Sequence, residues 1–305
     1  MIDWTKKELL ILAFDHRGSF TEKLFEIKNR QPTSAERVQI EDAKKIIFEG
    51  FIAALEKNVP KNIAGMLVDE EFGKAVLVDA KARGFTFAMP VEKSGQNEFD
   101  FEYGQDFGKH IQEFDPTLVK VLVRYNTESD PVMNKCQLDR LKVLNDYLVS
   151  VQKPFLFELL VSATEAQLAQ VAGAKDRFDS EIRPKLMIKS IEAIQAAGIN
   201  PAIWKLEGVD KAEDAKAIVE QVQKDGRKAG VITLGRGESK ENVQKWLAVG
   251  AKVTGIIGFA VGRTIFWQPL VEYRAGKIDR KTAVQKISQN YIELAQLWVN
   301  ERGGQ

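Results

Sequence analysis

Pro201-Ala202-Ile203-Trp204-Lys205-Leu206-Glu207-Gly208 is the stretch on which the fold turns. The break Gly198-Ile199-Asn200-Pro201 precedes it and Gly208 closes it, so the run has strand length rather than helix length. In a strand, Ala202, Trp204 and Leu206 share one face, and Ile203, Lys205 and Glu207 share the other. A half-exposed strand would send Lys205 into water. A strand covered on both sides keeps the ammonium inside, where desolvation disfavours the charged form and a neutral amine becomes a nucleophile toward carbonyls. The neighbouring units decide between the two.

In both directions from this stretch, apolar strand-length runs alternate with amphipathic helical ones. Upstream lie strands at 9–14, 64–68, 86–91, 118–125 and 155–161, with helices expected near 35–55, 74–83, 137–151 and 184–197. A polar stretch at 92–104 is too long for a plain turn. Downstream, a helix near 212–225 leads to a strand at 229–234, a helix at 240–249, a strand at 253–257 and closing helices. Eight strand–helix units without a linker or composition break predict one (β/α)₈ TIM barrel, a single α/β domain over residues 1–305. A doubly wound sheet in two domains would show a break near the middle. With its strands buried on both faces, a barrel puts Lys205 inside.

Composition narrows the function classes. Lys+Arg 44 against Asp+Glu 43 leaves no basic excess for nucleic acid or an anionic membrane. The single Cys136 excludes an intramolecular disulfide framework and a cysteine zinc site. No apolar run spans a bilayer, and the stretch from Met1 to Glu8 has no signal-peptide layout, so the expected location is the cytoplasm.

The active site of such a barrel lies at the carboxyl ends of its strands. In the fourth strand Val119, Val121 and Val123 share one face, which turns Lys120 and Arg124 toward the barrel interior. The fifth places Glu158 between Phe157 and Leu159, and the first ends in Asp15 followed by His16 and Arg17. Each charge alone reads as a solvated face. Together Asp15, Lys120, Glu158 and Lys205 form a mutually compensated cluster, either catalytic or purely structural. After the seventh and eighth strands, Gly235-Arg236-Gly237 and Gly258-Phe259-Ala260-Val261-Gly262-Arg263 offer glycine-rich backbone and two arginines, the composition of a phosphate site. Gly235-x-Gly237 lacks the third glycine of a dinucleotide fingerprint. His16 and His110 are not in metal-ligand spacing, and Asp69-Glu70-Glu71 reads as a solvated loop rather than a divalent-ion site. Phe266, Trp267, Tyr273 and Trp298 read as packing of the last helices, with Trp267 and Trp298 offering a contact in a homo-oligomer.

Ala13-Phe14-Asp15-His16-Arg17, Lys-Val-Leu-Val-Arg-Tyr-Asn at 120–126, Phe155-Leu156-Phe157-Glu158-Leu159-Leu160, Trp204-Lys205-Leu206-Glu207-Gly208 and the stretch from Gly258 to Trp267 occur in this order. Together they resemble the class I aldolase superfamily of tagatose-1,6-bisphosphate and sulfofructose-phosphate aldolases. In detail they look closest to the 5-dehydro-2-deoxyphosphogluconate aldolase-like domain of inositol catabolism. The resemblance implies a Schiff-base lysine at Lys205, with Asp15, Lys120 and Glu158 as its catalytic partners, no metal and no cofactor. It further implies a sugar-phosphate substrate. Departures from the tagatose type are Arg124, where an aromatic residue is usual, and Gly235-Arg236-Gly237, where a serine-containing loop is usual. Both add positive charge and favour a substrate carrying a carboxylate as well as a phosphate, received by Arg17, Arg124 or Arg236. The expected reaction is cleavage of 5-dehydro-2-deoxy-D-gluconate 6-phosphate to dihydroxyacetone phosphate and malonate semialdehyde. The alternatives are another sugar phosphate, or a non-catalytic barrel that binds one.

Overall fold

The computed structural model describes residues 3–303, so Met1 and Ile2 of the N-terminal stretch lie outside the described residues. In chain order the elements are β1 (Leu9–Ala13), α1 (Gly18–Leu24), α2 (Ser34–Leu55), β2 (Ala64–Leu67), α3 (Glu70–Ala82) and β3 (Thr86–Pro90). Next come α4 (Phe107–Phe114), β4 (Leu118–Arg124), α5 (Pro131–Ser150), β5 (Phe155–Leu160), α6 (Glu165–Gln170), α7 (Lys175–Arg177) and α8 (Arg183–Ala196). The chain finishes with β6 (Ile203–Glu207), α9 (Ala212–Gln223), β7 (Gly230–Leu234), α10 (Lys240–Ala251), β8 (Ile256–Val261), α11 (Arg263–Arg274) and α12 (Arg280–Gly303). The strands pair in sequence order, all parallel, and β8 returns to β1 to close a (β/α)₈ barrel.

Two apolar layers follow from the period-two pattern of the strands. Outward residues such as Val119, Val121, Val123, Phe157, Trp204 and Leu206 pack against the helices. Inward residues Leu9, Ile11, Leu118, Leu156, Ile203 and Ile232 plug the barrel interior. The face that begins with Leu118 continues as Lys120, Leu122 and Arg124, and the face that begins with Ile203 continues as Lys205 and Glu207. The interior is therefore apolar at one end and ionic at the other. Pairing of Glu158 with Lys205 across β5 and β6 brings opposite charges side by side at the ionic end.

Three sequence expectations are corrected. The eighth strand runs Ile256–Val261 rather than 253–257, because Gly255 turns at φ 95° and delays its start. Gly258 thus lies within the strand, where an added Cβ would meet the Leu9 carbonyl oxygen at 1.8 Å. Glycine there permits the close approach of β8 to β1 and forms no loop. Asp69 is fully buried rather than solvated and caps α3, its carboxylate accepting from the Phe72 amide at 2.8 Å. Trp298 is fully buried against Phe259, which leaves it no surface for a subunit contact. Among the described residues no helix is long and apolar enough to cross a membrane.

The polar stretch after β3 folds back on itself over the ionic end. Lys93 N donates to Asp100 O at 2.9 Å and Glu102 N to Val91 O at 3.0 Å, closing a hairpin around residues 93–100. Arg124 secures it by donating to the Gln96 carbonyl at 2.9 Å.

Candidate active site

At the ionic end, Lys120 is the hub. Its ammonium donates to Asp15 Oδ2 and Glu92 Oε1, both at 2.7 Å, and lies 3.1 Å from Glu158 Oε2. Lys205 Nζ stands 2.8 Å from that same Glu158 oxygen. Glu158 Oε2 is within ion-pair distance of both ammonium groups. All five side chains are buried. Arg17, also buried, pairs with Glu92 at 3.3 Å and Glu102 at 3.1 Å.

Burial acts to raise the Glu158 carboxyl, but the Lys205 and Lys120 charges outweigh it and hold it below the ordinary carboxylate value. Asp15 is likewise held low, burial being overcome by Lys120 and Lys205. For Glu92 burial wins over Lys120 and Arg17, and its carboxyl is pushed up. Burial disfavours the Lys120 ammonium, yet Asp15, Glu92 and Glu158 together push it above the usual lysine range, so it stays protonated. Beside this group, burial holds the His16 imidazole down to about 3 against the pull of Asp15, so the ring is neutral near pH 7.

Two lobes of one crevice meet over Lys205. One is lined by Asp15, Arg17, Glu92, Lys120 and the hairpin tip. The other is lined by Gly235, Arg236, Gly237, Gly262, Arg263 and Thr264. His16, Arg124, Glu158 and Lys205 border both. In the second lobe α11 starts at Arg263, directly after Gly262, and presents its N-terminus to the crevice. Gly237, at φ 77°, makes room for the Arg263 guanidinium: a Cβ there would lie 2.2 Å from Nη2.

The structure thus brings Asp15, Lys120, Glu158 and Lys205 into one cluster, and Gly235, Gly237, Gly262 and Arg263 into one lobe. It separates three predicted ligands from free use. Gly258 sits inside β8 and lines neither lobe. Arg236 is tied at 2.6 Å to Asp179, 2.9 Å to Glu207 and 3.2 Å to Glu238. Arg17 is similarly neutralised by Glu92 and Glu102, whereas among the described residues Arg124 meets only a carbonyl oxygen, and Arg263 donates to the Arg236 carbonyl at 2.7 Å. Sequence reasoning missed Glu92 and His16. The first had a signal, since Ala88, Pro90 and Glu92 continue one strand face past the end of β3. His16, on the turn after β1, had none beyond its place next to Asp15.

The closed parallel barrel is a fold that solved aldolases share. A Plasmodium falciparum fructose-bisphosphate aldolase, solved with TRAP and an inhibitor, superposes with a TM-score of 0.67 at 13% identity over 98% of this chain and 92% of that one. An archaeal fructose 1,6-bisphosphate aldolase gives 0.56 at 12% identity over 94% of each. In sequence, the chain is 22% identical over 201 residues to tagatose 1,6-diphosphate aldolase 2 of Streptococcus agalactiae, covering 64% of this chain and 56% of that protein. Tagatose 1,6-diphosphate aldolase of Lactococcus lactis subsp. lactis is 23% identical over 202 residues, with the same coverage. The alignments span little more than half the length of these relatives. The chain itself belongs to DUF2090, a family described as an uncharacterized protein conserved in bacteria, which matches residues 3–302.

Proposed function

We propose that the chain is a Schiff-base aldolase acting on a phosphorylated keto sugar acid. One observation carries the reading: lysines from β4 and β6 reach a single carboxylate oxygen, Glu158 Oε2, where the two lobes meet. Lys205 passes a proton to Glu158 and its amine attacks the ketone carbon. Loss of water from the carbinolamine, with Glu158 returning the proton to the departing hydroxyl, leaves an iminium. Glu158 then takes the proton from the hydroxyl on the carbon beyond the scissile bond. The bond's electron pair moves into the iminium to give an enamine, and the aldehyde product departs. Protonation of the enamine and hydrolysis release the ketone and restore Lys205. Lys120, kept cationic by three carboxylates, donates to substrate oxygens.

The phosphate fits the second lobe, between the 235–237 backbone, the N-terminus of α11 and Arg263. The carboxylate fits Arg124, which borders both lobes and is not paired with an acidic group among the described residues. These placements favour 5-dehydro-2-deoxy-D-gluconate 6-phosphate, giving dihydroxyacetone phosphate and malonate semialdehyde, the step the resemblance assigns to inositol catabolism. Tagatose 1,6-bisphosphate is the second reading, supported by the similarity to the streptococcal and lactococcal enzymes. Measured kcat/KM on these two compounds and sulfofructose phosphate tests the choice. We expect the keto acid to lead by about 100-fold, and Arg124→Leu to erase that lead. A preference for the bisphosphate would overturn the carboxylate assignment.

A further inference from the structure

We propose that the buried Lys44–Asp69 pair is a positioning clamp that aims Asp15 at the reacting lysines; the inference rests on the aldolase reading of the site. Lys44 stands on the apolar face of α2, one turn from Ile40 and one turn from Phe48, and is fully buried, as is Asp69. Its ammonium has three N–H groups, and three acceptors surround it: the Phe14 carbonyl, the His16 carbonyl at 2.9 Å and Asp69 Oδ1. The Phe20 ring covers the ammonium, its centroid 4.8 Å away.

The two carbonyls bracket Asp15: one belongs to the peptide that leads into it, the other to the peptide after His16. The chain is therefore held from behind on both sides of the Asp15–His16 pair, while Phe14 N donates forward to Leu67 O at 2.8 Å. With the backbone fixed on both sides, the Asp15 carboxylate is delivered to Lys120 at 2.7 Å. Asp69 is itself immobilised, its other oxygen accepting from the Phe72 amide. Filling the space does not require charge, since apolar groups of similar shape often replace a buried pair without loss of stability. What the ammonium adds is three directed donors at one point, two of them aimed at the backbone around a reacting group.

Lys44→Met combined with Asp69→Asn removes both charges and keeps the volumes. The clamp predicts a folded protein with KM for the phosphorylated ketone within about 3-fold of wild type and kcat lower by about 100-fold. In a chain already carrying Asp15→Asn, the same two substitutions should lower kcat by less than about 3-fold, because the group they position is gone. Wild-type kcat in the paired variant, or an undiminished loss in the Asp15→Asn chain, overturns the clamp. Should the paired variant not fold, Lys44→Arg keeps the charge but replaces three tetrahedral donors with a planar fork, and a wild-type kcat there overturns the clamp equally. A crystal structure of whichever variant folds needs no turnover: Asp15 withdrawn from Lys120 supports the clamp, and contact kept within about 3 Å contradicts it. Failure of the aldolase reading is distinct, showing as no activity and no lysine adduct in the unaltered protein.

Discussion

Lys205 and Glu207 stand two residues apart on one face of β6, and each anchors an ionic cluster of opposite character. Around Glu207, Arg236 spends its five guanidinium N–H groups on five hydrogen bonds, to Asp179, Glu207 and Glu238. Only Arg183 Nη1, at the edge of that cluster, lacks a partner. Around Lys205 the accounting does not close: Glu92 Oε2, His16 Nδ1 and Arg17 Nε are buried without a hydrogen-bond partner among the described residues. Unused bonding capacity at low dielectric is costly unless another molecule uses it. The Arg236 cluster is a truss that ties β6, β7 and the turn before α8 together. The Lys205 cluster is the one we propose as the site. Buried charge alone does not distinguish the two; unspent hydrogen bonds do.

The comparison can be broken in graded steps. Glu158→Gln should lower kcat by about 1,000-fold while the lysine adduct still forms, as for loss of a general base. Unchanged turnover would move Glu158 into the truss class. Arg236→Met strands Glu207 without its cation, while Asp179 keeps Arg183 at 3.0 Å. Urea unfolding should register a loss of about 3–5 kcal/mol, with a smaller effect on kcat. An unaltered unfolding midpoint with lost phosphate binding would restore Arg236 as a ligand. Arg263→Ala should raise KM by about 10- to 100-fold with kcat little changed, the size of a charge-assisted hydrogen bond. The smallest effect concerns His16, held by burial at about 3 against an ordinary 6.5. Between those values the unfolded chain binds a proton that the folded chain does not, so stability rises with pH by at most about 1.4 kcal/mol per unit. Asp15 and Glu158, both held low, act with the same sign but only below about pH 4. Glu92, pushed up by burial, acts with the opposite sign above about pH 4.5, so His16→Gln should remove the upward slope between about pH 4.5 and 6.5 and leave that downward one. A slope left intact would place the imidazole in water.

Much of this was legible in the chain. Alternation within 118–125 and around Lys205 settled which side of each strand faces the barrel axis, and eight such units closed the ring. Asp15, Lys120, Glu158 and Lys205 followed from position and charge. The end of β3 hid Glu92, because a strand face can continue beyond the last paired residue. Lys44 was hidden by its type, since a lysine on an amphipathic helix is ordinarily solvated and only tertiary contact supplies its three acceptors. Arg236 misled for the converse reason: its partners Asp179 and Glu207 are distant in sequence, so nothing local announced that its charge was already matched. Gly258 and its neighbours read as a loop because small residues mark turns, whereas here they let β8 approach β1.

The central claim is that Lys205 forms the covalent intermediate. Borohydride reduction with dihydroxyacetone phosphate, followed by peptide mass spectrometry, tests it most directly. The account predicts one reduced adduct, on Lys205, formed equally in EDTA, retained in Glu158→Gln and absent from Lys205→Ala. Turnover of a phosphorylated ketone that EDTA abolishes and borohydride never traps would contradict it.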